Sequence, residues 1–286
     1  MSVRRVTRLG TNVIDDHRVD QVVDQVVDQV VDDVVADEAP LEIQLREHDG
    51  VFRSVAVVMR TPFDDDAVDE HLALGFLRTE GVIASVDDVE HVGHCSVAPT
   101  PEAEGNIIQV RLRPGVVVEW QRLVRHTFAS SSCGVCGKAS IDAVVQTLPP
   151  PSSSATRAAP TRARCLALTE RLRAAQPLFQ ITGATHGALL VGADDAVIAV
   201  AEDVGRHNAV DVVIGAALRR RDVDWSMSTL VLSGRIAFEI VQKAAVVGIG
   251  SIVAVGAPTS LAIDLAQRAG ITLVGFVRPG RANHYG

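Results

Sequence analysis

Two cysteines spaced as Cys133-Gly-Val-Cys136 are the residues of this sequence best suited to covalent chemistry. A pair with this spacing serves as half of a zinc site, as a redox disulfide, or as a nucleophile that carries sulfur as a persulfide. The surrounding segment FASSSCGVCGKAS is rich in serine and glycine, and Lys138 adds a positive charge close to the pair. Because a nearby cation favours thiolate over thiol, the sequence predicts an exposed, activated pair.

Zinc is the least favoured of these three uses. A zinc ion takes four ligands, usually from two such pairs or from one pair with spaced histidines. The two other cysteines, Cys95 and Cys165, stand alone, and only His94 beside Cys95 keeps zinc in consideration. Cys165 lies in the apolar run CLAL, so we expect it in the core, and we expect no structural metal.

Basic and polar residues follow several predicted strands at the point where each strand ends. The segments AEDVGRHN, SGR, GAPTS and RPGR each come after a strand-like run, and the first three open a helix. The carboxyl ends of strands in an α/β sheet meet helix N-termini at one edge, where ligands bind. Four arginines would converge there, namely Arg206, Arg235, Arg278 and Arg281. The sequence therefore predicts a pocket for several phosphates, in which Glu202 or Asp203 accepts hydrogen bonds from a guanine edge.

Two histidines border these segments. His186 in TGATHGA and His207 in GRHN are candidates for proton transfer or for hydrogen bonds to a ligand. A satisfied core histidine is an equal alternative for His186, which lies among small residues. Any one of the arginines would more often be an ordinary cap or a surface ion pair, whereas four at successive strand ends favour a binding site.

An N-terminal extension precedes the predicted elements that position these residues. Residues 1–39 contain the four-residue repeat DQVVDQVVDQVVDDVV, which we interpret as low-complexity, disordered chain, with a docking helix as the alternative. Residues 40–126 then alternate like strands around a turn at His48-Asp49-Gly50, with a helix at Asp64–Thr79 and later strands near Val89 and at Asn106–Leu112. This part predicts a small α/β domain.

Residues 127–286 hold the cysteine pair, an amphipathic helix that continues over Asp142–Leu148, and a proline-rich linker. Strands are predicted in THGALLV and AVIAVAED and at Thr229–Leu232, Ser251–Val255 and Ile271–Phe276, with helices at Asn208–Leu218, Ile236–Val247 and Ser260–Ala269. Strands that alternate with helices are typical of βαβ units, so we expect an α/β domain with a mostly parallel sheet.

Length and composition agree with a folded α/β protein. The chain has 286 residues, of which 47% are hydrophobic, and a formal net charge of −8. This apolar content excludes disorder over most of the chain, and four cysteines are too few for a disulfide scaffold of this length. The acidic balance excludes a general nucleic-acid binder. Because the sequence offers neither a membrane-spanning apolar run nor a cleavable signal, we expect a cytoplasmic protein.

Six motifs, in order along the chain from about Pro40 to the C-terminus, resemble the formate dehydrogenase accessory sulfurtransferase (FdhD) family. They are CGVCGKASI, TGATHGALL, AEDVGRHNAVD, SGRIAFEIVQKA, APTSLA and TLVGFVRPGRANHY. The resemblance implies a three-layer C-terminal domain similar to the cytidine deaminase fold but without the deaminase zinc site. The sequence has neither the HxE nor the PCxxC motif of such a site, since Ser132 precedes Cys133.

The resemblance also implies a function. In that family a cysteine desulfurase loads sulfur onto the CxxC pair, and the protein delivers it to the molybdenum cofactor, bis-molybdopterin guanine dinucleotide, before that cofactor is inserted into formate dehydrogenase. A homodimer is expected on the same ground. Two alternatives stay open: a chaperone that holds the cofactor without chemistry, and a dithiol redox protein.

Carried over residue by residue, the resemblance makes Cys133 the persulfide-bearing residue and Cys136 its helper or resolving thiol. It assigns cofactor binding to Phe276, Val277, Arg278, Pro279, Gly280 and Arg281, and to the strand-end residues Asp203, Arg206, His207, Ser233 and Arg235, with His186 beside them. This chain departs from the family at Val212, where a lysine is usual, and at Ile236-Ala237, where alanine and serine are usual.

Overall fold

A computed structural model describes residues 1–8, 29–48, 50–120, 123 and 159–285. The pair Cys133 and Cys136 and the helix predicted at Asp142–Leu148 lie outside the described residues and stay predictions. Among the described helices, none combines the length and the apolar character that crossing a membrane requires.

The extension contains a pair of strands. β1 (Ser2–Arg8) runs antiparallel to β2 (Gln29–Val35), which is the last part of the valine-aspartate repeat. The register sets Arg5 opposite Asp32, so a basic strand faces an acidic one. At these two segments the structure has strands where the sequence predicts disordered chain, because valine favours strands and opposite charges across a strand pair attract.

The N-terminal sheet consists of four strands and one covering helix. They are β3 (Ala39–Arg46), β4 (Arg53–Arg60), α1 (Asp66–Thr79), β5 (Val89–His94) and β6 (Ile107–Leu112). The strand order is β4-β3-β6-β5, and β3 pairs antiparallel with β4 and parallel with β6. The predicted β3–β4 hairpin and the helix are confirmed.

The alternation of apolar and polar residues explains why these segments form strands with one buried face. In β3 the apolar residues Leu41, Ile43 and Leu45 are fully buried, and the residues between them are polar. Helix α1 begins two residues later than predicted because the Asp65 side chain accepts a hydrogen bond from the Ala67 N–H and so caps the helix.

The C-terminal part holds a larger sheet with helices on both faces. Its elements are α2 (Arg162–Ala174), α3 (Pro177–Thr182), β7 (His186–Val191), β8 (Val197–Asp203), α4 (Arg206–Leu218), β9 (Thr229–Leu232), α5 (Phe238–Val247), β10 (Ser251–Ala254), α6 (Ser260–Ala269), β11 (Thr272–Arg278) and β12 (Arg281–Tyr285). The elements predicted there are present, with ends shifted by at most two residues. Helices α2 and α3 and strand β12 were not predicted.

The strand order is β12-β11-β10-β9-β7-β8, and the prediction of a mostly parallel sheet is wrong. Only β9, β10 and β11 are parallel to one another, whereas the pairs β7–β8, β7–β9 and β11–β12 are antiparallel. The reason is the length of the connections. A turn of a few residues joins β7 to β8 and β11 to β12, and so short a link permits only antiparallel pairing.

The C-terminal sheet has the three layers that the resemblance implies. Helices α4, α5 and α6 pack on one face in the largest apolar cluster of the described residues. Helix α2 covers the other face, where Leu168 and Leu172 pack on Leu189 and Val231. Cys165 is fully buried there, as predicted.

The two sheets are joined by a close crossing of α1 and α4. A Cβ built on Gly75 of α1 would lie 1.8 Å from the backbone oxygen of Asp211, and one built on Gly215 of α4 would lie 1.8 Å from the backbone oxygen of His71. Each glycine therefore lets the facing helix backbone approach closely.

A buried polar cluster reinforces this crossing. The Lys243 ammonium of α5 donates hydrogen bonds to both carboxylate oxygens of Asp211, each at 2.9 Å, and to the Thr79 hydroxyl of α1 at 2.9 Å. Burial raises the pKa of the Asp211 carboxyl, and the Lys243 charge opposes that rise. The cluster thus links α1 to the two helices that begin at the edge described below.

Replacing Gly75 by alanine should weaken the junction. Helix propensity alone would favour this change by about 1 kcal/mol, but the new Cβ would overlap the Asp211 backbone, so the helices must separate. We expect the free energy of unfolding, measured with denaturant, to fall by about 1–3 kcal/mol. Gly50→Ala is the control, because its Cβ would lie 3.5 Å from the nearest atom. A Gly75 variant as stable as the wild type would contradict the close crossing.

Candidate functional site

The strand ends singled out in the sequence lie along one edge of the C-terminal sheet. Strands β9, β10 and β11 are parallel, and β8, which is antiparallel to β7, points the same way. The carboxyl ends of four strands therefore share this edge with the first residues of β7 and β12, His186 and Arg281. With neighbouring strands about 4.8 Å apart, the edge spans roughly 24 Å. We call it the strand edge.

Glycines form the middle of the strand edge. The Gly256 N–H donates to the Gly234 carbonyl at 3.1 Å, and the Phe276 N–H donates to the Gly256 carbonyl at 3.0 Å. A Cβ on Gly256 would lie 2.4 Å from the Gly234 oxygen, so only glycine permits this contact. We call this stretch of partly exposed backbone at Gly234 and Gly256 the glycine floor. Side chains flank the glycine floor at either end.

One end of the glycine floor carries His186, Ser233 and two arginines. The Ser233 hydroxyl oxygen accepts a hydrogen bond from the Gly187 N–H at 2.8 Å, which ties β7 to the end of β9. Burial lowers the pKa of the half-buried His186 imidazole, and the neighbouring side chains of Arg206, His207 and Arg235 lower it further. The structure therefore brings together four of the predicted residues around His186.

Two helices direct N-terminal N–H groups at this same end. Helix α4 follows Gly205 and α5 follows Ala237, and neither helix has a side-chain cap. Helix α6 differs, because the Thr259 side chain accepts from the Ala262 N–H, as the sequence predicts. Uncapped N–H groups and the helix dipole make the α4–α5 end suited to an anion.

The other end of the glycine floor is the β11–β12 turn. Phe276 has a left-handed backbone, with φ of 54°, next to a break in the β11–β12 register. The Arg281 guanidinium lies 4.5 Å from the centre of the Phe276 ring, and that of Arg278 lies 5.8 Å from it. Pro279 and Gly280 form the exposed turn between the two arginines, where Gly280 has φ of 81°. This end offers an aromatic face and two cations.

Three of the predicted ligand contacts lie inside the protein instead. Val277 is 2% exposed and packs with Cys165, Val253 and Val274 beneath α2, so it faces away from the strand edge. The Glu202 carboxylate accepts from two backbone N–H groups at the start of α3, at 2.9 Å each, and from the Thr185 hydroxyl at 2.8 Å. It caps that helix and does not face a ligand.

Asp203 is the third of these residues, and it is 2% exposed. Its carboxylate accepts hydrogen bonds from the Thr61 N–H at 3.0 Å, the Gly205 N–H at 2.7 Å and the Asn208 side chain at 2.8 Å. Burial raises the pKa of Asp203 to about 6, while these donors lower it. Asp203 thus fastens the end of β4 to the start of α4, in place of the predicted contact with guanine.

Sequence reasoning missed Glu239, in the first turn of α5. Its carboxylate oxygen lies 3.9 Å from the His207 Nε2 atom, and His207 is 7% exposed. The residue could have been noticed as an acid in the first turn of the helix that SGR opens. The contact links the first turns of α4 and α5.

Hydrogen bonds hold the described residues that precede and follow the cysteine pair in the sequence. Before the pair, the Glu47 carboxylate accepts from the Val118 N–H at 3.2 Å and from the Trp120 indole N–H at 3.0 Å. After the pair, the Arg162 guanidinium donates to the Gly280 carbonyl at 3.3 Å, so the first residue of α2 contacts the β11–β12 turn.

The chain between the cysteine pair and Arg162 is long enough for the pair to reach the strand edge. Arg162 follows Cys136 by 26 residues. At up to about 3.5 Å per residue, this length far exceeds that of the whole edge. Among the described residues, no group of three or more His, Cys, Asp or Glu side chains is arranged to hold a metal ion.

Asp203→Asn should change how stability depends on pH. The carboxyl pKa is about 6 in the fold, above its ordinary value of 3.8, so folding favours the protonated form. The stability of the wild type relative to the variant should therefore fall by about 2–3 kcal/mol as pH rises from about 4 to about 6, and then level off. Denaturant unfolding at a series of pH values measures this difference. A relative stability that rises over that range would contradict the burial argument.

Comparison with known proteins assigns the family. A model of the FdhD/NarQ family matches residues 36–286. The sulfur carrier protein FdhD of Anaeromyxobacter dehalogenans is 47% identical over 257 residues, covering 87% of this chain and 85% of that protein. The protein of the same name from Mycobacterium tuberculosis is 44% identical over 254 residues, covering 87% and 88%.

A solved structure agrees with these sequence matches. The crystal structure of a candidate formate dehydrogenase accessory protein from Desulfotalea psychrophila aligns with a TM-score of 0.68 at 25% identity, over 99% of this chain and 97% of that one. Both the sequence and the fold lead to one conclusion: the chain belongs to the FdhD/NarQ family.

Proposed function

We propose that this protein carries sulfur as a persulfide on Cys133 and delivers it to molybdenum bis-molybdopterin guanine dinucleotide, bound as cargo at the strand edge, before formate dehydrogenase receives that cofactor. The observation that carries the proposal is the contact between Arg162 and Gly280. Arg162, the residue at which α2 begins, lies beside the turn between Arg278 and Arg281, which supports the proposal. The sulfur carrier proteins among the relatives support the same activity.

Loading requires one exchange reaction. The Cys133 thiolate attacks the terminal sulfur of a persulfide on a cysteine desulfurase. A sulfur–sulfur bond forms at Cys133, the sulfur–sulfur bond on the desulfurase breaks, and the desulfurase cysteine leaves as a thiolate. This loading step is balanced without an added oxidant or reductant. Lys138, near the pair in sequence, favours the attacking thiolate. In delivery, the sulfur–sulfur bond at Cys133 breaks, Cys133 leaves as a thiolate, and the outer sulfur passes to the cargo at the sulfide level, with the two electrons supplied by the cargo's molybdenum in its reduced, Mo(IV) state.

The cargo would lie along the glycine floor. Its phosphates suit the cations and uncapped helix N-termini at the two ends of the strand edge. Arg235, Arg278 and Arg281 are exposed, and none forms an ion pair with another residue of the described ranges. These three guanidinium groups are therefore available to phosphate oxygens. The Phe276 ring, beside Arg281, offers a face for a flat ring system.

The remaining expectations follow from the same proposal. The partners would be a cysteine desulfurase and formate dehydrogenase, met in the cytoplasm, and the protein would act as a homodimer. The two alternative functions require only part of these features. A chaperone that only holds the cofactor would need the strand edge but not Cys133. A dithiol redox protein would need the two cysteines but not the strand edge.

The test is an intact mass measured after incubation with a cysteine desulfurase and cysteine. We expect the wild type to gain the mass of one sulfur atom and Cys133→Ala to gain none. Cys95→Ala is the matched control, because Cys95 lies outside the motif, and it should load like the wild type. A wild type that gains no sulfur would overturn the carrier proposal in favour of the chaperone. A stable disulfide between Cys133 and Cys136 that cycles with a reductase would favour the redox protein.

A further inference from the structure

The position of His186 sets it apart from the other residues of the strand edge. It is the first residue of β7 and is half-buried, and a Cβ built on Gly234 would lie 3.4 Å from its Nδ1 atom. The imidazole therefore lies against the backbone that follows β9. No carboxylate within the described ranges forms an ion pair with it.

The charged groups that face His186 come from each neighbouring element. Helix α4 contributes Arg206 and His207, and the segment between β9 and α5 contributes Arg235. Two acids belong to the same neighbouring elements. Glu239 of α5 lies 3.9 Å from the His207 Nε2 atom. Asp203, opposite His186 in the β7–β8 ladder, is held by its three N–H donors.

This arrangement has a clear electrostatic consequence. Burial and the neighbouring guanidinium groups of Arg206 and Arg235 disfavour a charge on His186, so the pKa of its imidazole is lowered and its neutral form is favoured. The same place is crowded with positive charge and with the uncapped N–H groups of α4 and α5. A bound phosphate would supply the missing negative charge and reverse the effect on His186.

A second, independent observation points to an anion at this end. The Nε atom of Arg206, in the first turn of α4, is buried without a hydrogen-bond partner among the described residues. Buried polar atoms in folded proteins are normally satisfied. The His207 Nε2 atom, by contrast, faces a Glu239 carboxylate oxygen at 3.9 Å, so it does not point to a further anion. The unsatisfied Arg206 nitrogen beside His186 indicates that the site is completed by a ligand that accepts hydrogen bonds.

We propose that His186 couples phosphate binding at the strand edge to the uptake of a proton: it is neutral in the free protein and becomes a charged hydrogen-bond donor when the phosphate group of a nucleotide occupies the site. This inference rests on the nucleotide site of the proposed function. It adds a means of selection, because only a ligand with enough negative charge can draw the proton onto His186. A pyrophosphate, with two charged groups side by side, would bind better than a single singly charged group.

The experiment is a calorimetric titration of the full chain with guanosine diphosphate. At about pH 7, near the ordinary pKa of histidine, the heat of binding is measured in two buffers with different ionisation enthalpies. We expect the wild type to take up a substantial fraction of one proton for each nucleotide bound. His186→Asn should bind the nucleotide without that uptake, and His91→Asn, on the exposed surface of β5, should behave like the wild type.

The affinity should change with pH in the same sense. Between about pH 8.5 and about pH 6.5, wild-type affinity should rise roughly three- to tenfold relative to His186→Asn, because each unit of pKa change corresponds to a factor of ten. The variant corrects for the titration of the nucleotide itself, whose phosphate has a second pKa of about 6. Proton uptake of equal size in the variant would overturn the proposal and move the proton to another group, such as His207.

Two further measurements keep the test decisive if His186→Asn does not fold. Nuclear magnetic resonance of the wild-type histidines should show the pKa of His186 rising when guanosine diphosphate is added, and an unchanged pKa would overturn the proposal. Arg235→Gln, at an exposed position, should reduce the proton uptake for each nucleotide bound, because His186 then carries more of its proton beforehand. A wild type that shows no binding at all would instead overturn the nucleotide site itself, and this inference with it.

Discussion

The close crossing of α1 and α4 at Gly75 and Gly215 is the constraint on which the arrangement of this protein depends. The first turn of α4 carries Arg206 and His207, so whatever fixes this helix also fixes one end of the strand edge. The backbones can approach only because two glycines leave room for the facing carbonyl oxygens. The crossing brings the N-terminal sheet directly behind the candidate site.

Two polar contacts extend this constraint to the neighbouring elements. Asp203 holds the backbone after β4 against the start of α4, and Lys243 bonds α5 to both α4 and α1. Because α4 and α5 both begin at the strand edge, these contacts set the distance between the two uncapped helix N-termini. Both contacts bury charge, which costs free energy unless each group is fully hydrogen-bonded. The N-terminal sheet is thus part of the framework that positions the site, even though it supplies none of the predicted ligand contacts.

Much of the C-terminal fold could be predicted from the sequence because its signals are local. Apolar runs ended by SGR or GAPTS predict the strand, the turn and the helix that follow, and Gly270 marks the end of α6 through its left-handed backbone. Helix α2 was missed because its charged sequence, RARCLALTERLRA, shows no clear apolar face. Strand β12 was missed because it is short and polar, and the hairpin that forms it follows from the Pro279-Gly280 turn.

The parts that could not be predicted depend on contacts between distant segments. Asp203 reads as a ligand residue until the Thr61 N–H, 142 positions earlier in the chain, is found bonded to it. Val277 lies within a predicted binding motif, but its side chain points beneath α2, a helix that was not predicted. The strand in the valine-aspartate repeat likewise depends on a basic partner strand that precedes it by more than twenty residues. Local pattern fixes which residues reach the strand edge, whereas tertiary packing decides which of them face a ligand.

If the cysteine pair works at the strand edge, a nucleotide bound there should bring a thiol-reactive group within reach of the pair. A guanosine diphosphate derivative with a thiol-reactive group on its terminal phosphate would be incubated with the full chain, and the modified cysteine identified by peptide mass spectrometry. We expect labelling of Cys133 or Cys136 that is suppressed by excess guanosine diphosphate and lost in Arg281→Ala, but kept in Arg268→Ala at the far end of α6. Labelling confined to Cys95, or labelling that excess guanosine diphosphate leaves unchanged, would contradict a role of the pair at the strand edge.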